Sequence, residues 1–410
     1  MVAITRGGTL ADAIAGTIPR LVFEPATVEE AAEALAACAR DRLRVGFVGG
    51  GTELELGAPP TALDVVLRTR RLARTIEHVA ADQIVVVEAG VPLAELQRRL
   101  APHGQRLALD PPLPERATVG GIVAANAHGP RRHRFGASRD LVVGMTLVRA
   151  DGAIAKGGGK VVKNVAGFDV PRLLVGSLGT LALVATLTFR LHPLPECEST
   201  VLLRDLAKEK MRALVVAIQT AQLEPSSVVA LEEDGRLRLA ARFEGFAPGV
   251  AQQLHGMVAM AKRMGLGAEP LDETSARAFW SRHDAVRTLG RFRARLAALP
   301  SLVDEMMERA LRPLLGVLCP GMAALYPTLG LAFVSGEPTS SERVAGAVAA
   351  ARASLARRGG TVILTAATPT LRERCEVWGS PPAGLSVMRR MKDQFDPEHR
   401  LAPGRFVGGI

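Results

Sequence analysis

Three glycine-rich segments succeed one another in the first half of the chain, and their order limits the fold more than any property of the sequence as a whole. The first, Val48-Gly49-Gly50-Gly51-Thr52-Glu53-Leu54-Glu55-Leu56-Gly57, follows Arg44 to Val48, an apolar run that reads as a short buried strand. Three glycines leave backbone N–H groups uncovered by side chains and permit positive φ, which is how a loop forms a concave nest around a pyrophosphate. A Rossmann fingerprint starting at Gly49 would need glycine where Leu54 stands, and no Gly-Lys-Ser/Thr occurs at P-loop spacing. Taken alone, the loop fits a plain tight turn as well as it fits a phosphate nest.

The second segment is Asp110-Pro111-Pro112 followed by Thr118-Val119-Gly120-Gly121-Ile122-Val123-Ala124-Ala125-Asn126-Ala127-His128-Gly129. Small residues at nearly every position let a flat or phosphorylated group approach the backbone, or let two helices pack tightly. The third is Lys163-Asn164-Val165-Ala166-Gly167-Phe168-Asp169, then Gly176-Ser177-Leu178-Gly179-Thr180-Leu181, a glycine turn feeding a strand over Leu181 to Leu191. Each has a bland reading as a turn. Three in this order are hard to explain as coincidental turns.

The elements between them fit a β-α-β opening. Thr27 and Glu30 form a capping-box signature for a helix through Ala31 to Arg40, Ile84 to Val87 reads as a strand, and Pro92 sits where a first-turn proline belongs, with Gly104 closing that helix. Leu141 to Val148 reads as a strand turned by Asp151-Gly152, and His192-Pro193-Leu194-Pro195 stops the last strand of this half. From Glu198 the glycine turns disappear. The chain then reads as a smaller α+β domain: a helix from Asp205, strands at Val228 to Leu231 and from Leu237 around an Asp234-Gly235 turn, and a helix over Val250 to Met264. A helical pattern continues from Ala276 to Arg312, followed by strands at Leu329 to Val334 and Thr361 to Leu364 and a long helix from Ser341. A final helix over Leu385 to Phe395, with Leu385, Met388, Met391 and Phe395 at helical spacing, leads into a Pro/Gly-rich tail.

Composition excludes some functions and leaves others open. Of the 410 residues 48% are hydrophobic and 22% charged, enough to build large cores in two folding units. Only 4% are aromatic, with Tyr326 the one tyrosine, which argues against stacking single-stranded nucleic acid. The formal charge of +10 suits an anionic partner or cofactor without choosing one, and Arg131, Arg132, His133 and Arg134 form its one tight cluster. Cys38, Cys197, Cys319 and Cys375 are too scattered to hold an iron–sulfur cluster or a zinc ribbon, so no metal site is expected. No signal-like start and no bilayer-length apolar run occur, so the expected location is cytoplasmic, with any membrane association peripheral at the inner face.

With these motifs in place, the sequence resembles the FAD-binding proteins of the vanillyl-alcohol-oxidase (PCMH) type and, among them, the E subunits of bacterial glycolate oxidases. Members carry a Gly-Gly-Gly-Thr-like loop, a Thr-Val-Gly-Gly segment, a Lys-Asn-x-x-Gly-Tyr-Asp segment and a Gly-Ser-x-Gly-Thr-Leu strand, matched here in order, with Phe168 where tyrosine is common. The tail from Val377-Trp378-Gly379 through Asp396-Pro397 to Pro403-Gly404-Arg405 is similar to that subunit's ending. The resemblance implies an α+β fold: a two-subdomain FAD-binding domain over 1–196, a smaller α+β cap over 197–367, and a segment, 368–410, returning to the FAD domain. It implies FAD at Gly49, Gly50, Gly51, Thr52, Glu53, Asp110, Thr118, Gly120, Gly121 and Ala124, with Asn126, Gly129 and Ser138 nearby and Val184 meeting the adenine through its backbone. Neither glycine loop nor the Asp110 to Gly121 stretch holds a histidine or cysteine, so non-covalent FAD is expected.

By the same resemblance the chain would serve in oxidising a small 2-hydroxy acid, glycolate to glyoxylate, beside a catalytic flavoprotein D subunit and an iron–sulfur subunit. The histidine-rich His-x-Gly-Asp-Gly-Asn-like segment of the catalytic relatives is missing, so no catalytic residue is assigned. His255, His283 and His399 are singly placed and expected at the surface or in packing, as Trp280 and Trp378 are expected to anchor a core or interface. Two rivals stay open: a self-sufficient dehydrogenase with Arg282 or Arg287 clamping the carboxylate, and a scaffold subunit without FAD. Nucleic-acid binding, suggested by charge alone, ranks below both.

Overall fold

The computed structural model describes residues 4–161, 167–204, 206–233 and 235–410. The stretch Val162 to Ala166, holding the Lys163-Asn164 start of the third motif, lies outside the described residues, as do Asp205 and Asp234, where a helix start and a turn are expected. The chain divides into two compact units. One comprises Met1–Gly129, Gly136–Leu194 and Ser380–Ile410; the other comprises Pro130–Phe135 and Pro195–Gly379.

The first unit holds two principal sheets. The strands Ile4–Gly7, Leu21–Glu24, Val65–Arg68 and Val45–Val48 form one in that order, the last three running parallel. The helix Val28–Arg40 is the crossover from Leu21–Glu24 to Val45–Val48, two parallel strands that flank Val65–Arg68. Thr27 caps this helix by accepting from the Glu30 N–H at 3.1 Å, while the Glu30 carboxylate accepts from the Ala26 N–H at 2.7 Å, one residue further back than in an ordinary capping box. Ala31, Ala34, Leu35 and Cys38 form its buried face. They join Val45, Val65 and Leu67 of the first sheet and Val148, Leu183 and Ala185 of the second in one apolar cluster.

The second sheet is antiparallel, in the order Thr75–Val79, Ile84–Glu88, Leu183–Arg190, Val142–Val148, Ile154–Gly158. The Asp151-Gly152 turn forms as expected, with Gly152 at φ +86 and the Asp151 carboxylate accepting from Ala153 N–H at 3.0 Å. Pro92 is the residue before the helix Leu93–Leu100 rather than its first residue, and Gly104, at φ +65, ends the turn that follows.

The second unit is one eight-stranded antiparallel sheet, ordered Ala268–Pro270, Cys197–Leu203, Arg236–Gly245, Ser227–Glu233, Leu318–Tyr326, Leu331–Pro338, Phe292–Ala297, Thr361–Ala366. Alternation sends Val201, Val228 and Ala230 to one core, shared with the helices Met211–Thr220, Ala247–Arg263 and Ser341–Ala356. Leu202, Val229 and Leu231 go to the other, under Phe279 and Val286 of the helix Glu273–Thr288.

The helical pattern expected from Ala276 to Arg312 is broken in the structure. It ends at Thr288, Gly290 takes φ +84, and Phe292–Ala297 is a strand between Leu331–Pro338 and Thr361–Ala366. Phe292, Ala294 and Leu296 face the core and Arg293 and Arg295 do not, a period of two written in helix-favouring residue types. The strand Leu318–Tyr326 also escapes the sequence reading, because Pro320 and Gly321 fall inside it. A register shift between Leu318 and Gly321 accommodates them.

Candidate functional site

The strand Val45–Val48 runs straight into the first glycine loop, and the loop turns back against the second segment. A side chain at Gly49 would put its Cβ 2.2 Å from Thr118 Oγ1, and one at Gly50 would put it 1.7 Å from the Arg116 carbonyl oxygen. Gly51 is free of such crowding but takes φ +72. The first two glycines allow close approach and the third allows the turn. Among the described residues, none of the backbone N–H groups of Gly49, Gly50, Gly51 and Thr52 donates to a protein acceptor. Four successive unsatisfied donors are costly in a folded protein unless water or a ligand meets them.

These donors line a cavity of about 80 Å³. Its wall comprises Gly49 to Leu54, then Thr118, Gly121, Ala124 and Ala125 of the second segment, then Leu178 and Gly179 of the third, together with Phe47 and Arg405. The second segment forms the short helix Val119–Ala125, and its first N–H groups are already engaged: Val119 on the Val91 carbonyl, Gly120 on that of Ala89, and Gly121 on Thr118 Oγ1 at 3.3 Å. The third segment is fixed to that helix's far end, Gly176 N–H donating to Val123 O and Leu178 N–H to Ala124 O, both at 2.9 Å.

Of the residues expected at the cofactor, the structure therefore gathers Gly49, Gly50, Gly51, Thr52, Glu53, Thr118, Gly121 and Ala124 around one cavity. The others stand elsewhere in the first unit. Gly120 packs on Ala89, where a Cβ would come within 2.6 Å of the alanine methyl, and Gly129 lies over Asp110, whose carboxylate accepts its N–H at 2.9 Å. Val184 is buried in the second sheet opposite Leu147. Asn126 ends the helix at φ +49. Its Oδ1, with Ser138 Oγ and Ser177 Oγ, is buried without a hydrogen-bond partner among the described residues. Such polar atoms in a protein interior call for a water or a ligand.

Arg405 does not figure among the residues foreseen for this site. It is 4% exposed, lines the cavity, and donates from Nη2 to the Leu54 carbonyl at 2.9 Å. The tail brings it there by pairing with the loop's own framework: Val45 N–H donates to Arg400 O, Ala402 N–H to Val45 O, Thr61 N–H to Pro403 O and Ala58 N–H to Arg405 O, at 2.8 to 3.0 Å. The preceding helix, Leu385–Phe395, differs from its apolar pattern. Lys392 is its fully buried residue, while Met388 is exposed and Leu385, Met391 and Phe395 are half-buried. The Lys392 ammonium donates to Thr180 O, Asp396 Oδ2 and Leu401 O at 2.7 to 2.9 Å, so all three of its protons are used. Burial pushes its pKa down and the Asp396 carboxylate opposes that shift.

Residues 19–158 match the family model of the FAD-binding domain. This stretch is similar to FAD-binding domains. FAD is accordingly the cofactor of the chain, and the cavity with its unpaired N–H groups is a cradle that suits a phosphorylated ligand. The chain is 39% identical to a D-lactate dehydrogenase of Archaeoglobus fulgidus over 42% of its own length and 39% of that protein's. It is 30% identical to the glycolate oxidase subunit GlcE of Escherichia coli over 51% of its own length and 57% of that subunit's. The matches thus span about half the length of these curated relatives. A solved structure of alkyldihydroxyacetonephosphate synthase superposes on 98% of this chain and 83% of that one with a TM-score of 0.75 at 15% identity, so the two share a fold. Among the described residues no helix is long and apolar enough to cross a membrane.

Proposed function

We infer that the first unit holds the FAD pyrophosphate over Gly49 to Glu53, without a covalent tether, and that the chain is the FAD-binding subunit of a glycolate oxidase-type complex. Its partners in this reading are a catalytic flavoprotein subunit and an iron–sulfur subunit, and its substrate class is small 2-hydroxy acids. One observation carries the FAD site: three segments far apart in sequence line a single cavity in which four consecutive backbone N–H groups lack protein acceptors. The likeness to GlcE supports the subunit reading. Bound FAD supplies an acceptor for two electrons at its isoalloxazine ring. The chain supplies placement: donors from Gly49 to Thr52 for the phosphates, close backbone approach at Gly50, and the buried Asn126 Oδ1 and Ser138 Oγ as further polar contacts. No cysteine or histidine lines the cavity, which supports release of intact FAD on denaturation.

A second reading, a self-sufficient 2-hydroxy-acid dehydrogenase, is favoured by one feature of the second unit. Arg287 lies over the Phe333 ring at 4.6 Å with Nε and Nη1 buried and unpartnered among the described residues, and its charge reaches the buried His283–Tyr326 pair. A cation beside a proton-accepting chain is what a hydroxy-carboxylate needs.

One set of measurements tests both. The purified chain is expected to be yellow, to release all flavin into the supernatant on acid precipitation, and to reduce dye with glycolate or D-lactate only after co-expression with its partner subunits. Flavin left in the precipitate defeats the non-covalent assignment. Robust turnover by the single chain, lost in Arg287→Ala, replaces the subunit reading with the second.

A further inference from the structure

Two charged side chains line the nucleotide cavity, Glu53 from the glycine loop and Arg405 from the tail. A pyrophosphate diester carries two negative charges, and backbone N–H groups bring hydrogen bonds but no net charge. The Glu53 carboxylate adds a third negative charge to the same space. The helix that faces the loop has its leading N–H groups occupied by Val91 O, Ala89 O and Thr118 Oγ1. Compensation has to come from a cation, and among the residues lining the cavity Arg405 is the one that carries it.

We propose that Arg405 is a cofactor-binding residue, its guanidinium held in the cavity wall to take the charge of the FAD pyrophosphate. This rests on the placement of FAD over Gly49 to Glu53. Its position is built rather than incidental. Gly404, at φ +80, packs on Thr61, with a Cβ there only 2.6 Å from Thr61 Cγ2, and at Gly57 a Cβ would stand 2.8 Å from the Arg405 carbonyl oxygen. Both glycines let the tail lie directly on the loop segment. The donation from Nη2 to Leu54 O orients the guanidinium in the cavity wall, where a planar, permanently charged group suits a phosphate. The tail is therefore a wall of the cofactor site as well as a brace for the sheet beneath it.

The test uses the full chain stripped of flavin and titrated with FAD and with ADP, a probe that keeps the diphosphate and lacks the flavin. Arg405→Gln is expected to weaken both by about 10- to 100-fold, the range of a charged hydrogen bond. It is also expected to flatten the loss of affinity as salt rises, because one cation has left the site. Arg405→Lys, which keeps the charge and most of the stem, is expected to lie between the two and to keep the wild-type salt dependence. Wild-type affinity in Arg405→Gln overturns the proposal. So does weakened affinity whose salt dependence is unchanged, since the residue would then act only by packing. If Arg405→Gln fails to fold, Arg405→Met, which also removes the charge, is judged by the same rule. Gly51→Val separates this from the underlying placement. Retained FAD in that variant refutes the loop site itself, whereas loss of FAD there with full binding in Arg405→Gln refutes only the role given to Arg405.

Discussion

In the glycine loop of the first unit the donors without a protein acceptor are backbone N–H groups, those of Gly49 to Thr52, exposed by the lack of side chains. Around the helix Glu273–Thr288 of the second unit, by contrast, His283 and Trp280 are met by other side chains. His283 Nδ1 lies 2.9 Å from the Asp284 carboxylate, which can only accept, so with the ring neutral the Nδ1–H donates and Nε2 accepts from the Tyr326 O–H at 2.7 Å. Trp280 donates from Nε1 to Thr200 Oγ1 while the Arg242 guanidinium lies 3.8 Å over its ring. The two units are therefore vulnerable to opposite changes at these places. Adding an atom at the glycine loop should injure the cofactor site, and removing one from the His283 network should injure the second unit.

The sharpest break is Gly51→Val. A branched side chain at φ +72 is strained even though little crowds it, and its bulk would cover the neighbouring N–H groups. FAD content is expected to fall to nothing by absorbance while circular dichroism keeps most of the fold. Full flavin in this variant would mean that backbone exposure is not what binds.

Next comes Asp396→Ala, which strands the buried Lys392 ammonium. Removing one partner of a buried pair costs about 3–5 kcal/mol. Calorimetry and hydrogen exchange should show the first unit melting earlier with the second unchanged. Equal loss in both units would contradict their separate cores.

Smaller still is Tyr326→Phe. It deletes one buried donor and is expected to cost about 1–2 kcal/mol in the second unit with flavin content intact. Loss of FAD from this change would erase the contrast between the units.

The weakest effect is a pH dependence. Burial first, then Arg190 and Arg106, hold His192 down to about 4 from an ordinary 6.5. The unfolded chain takes its proton near 6.5 and the folded chain only near 4, so stability is intact above 6.5 and declines as pH falls between those values. Burial lowers His283 in the same direction in the second unit. His192→Gln is expected to lessen the acid-induced drop in the first unit's melting temperature alone, and an unchanged drop would assign it to other groups.

What could be read from sequence follows the same division. That Gly49 to Thr52, Thr118 and Gly121 lie around one cavity could be read because close approach there requires small residues, and runs of glycine record that directly. The Leu385–Phe395 helix and the Val28–Arg40 helix with its Thr27 cap were readable from period and capping chemistry. The Phe292–Ala297 strand was not, because arginines suited to a helix occupy its outward positions. Arg405 was not, because nothing local to a tail arginine shows that a loop some 350 residues earlier will lie against it. Lys392 gave the opposite signal, since a lysine on an amphipathic helix normally marks the solvent face. Pro130–Phe135 groups with the second unit, where Arg131 pairs with Glu244 at 2.6 Å and Arg134 with Glu224, and sequence spacing carries no trace of it.

The pairing of Arg400–Arg405 with Val45, Ala58 and Thr61 also sets an order of events on the ribosome. Chain synthesis is directional and domains tend to fold as they emerge. Pro195–Gly379 is complete before Ser380 is made, so the second unit's sheet can close while the first still lacks its tail. The strand Val45–Val48 and the glycine loop must wait, open along one edge, through more than three hundred further residues before Leu401 arrives beside Val45. Such long-range closure is intrinsically slow. A nascent chain stalled just short of Arg400 should therefore present a finished second unit and an unfinished glycine-loop cavity, and FAD is expected to be captured only once Arg400–Arg405 has been added.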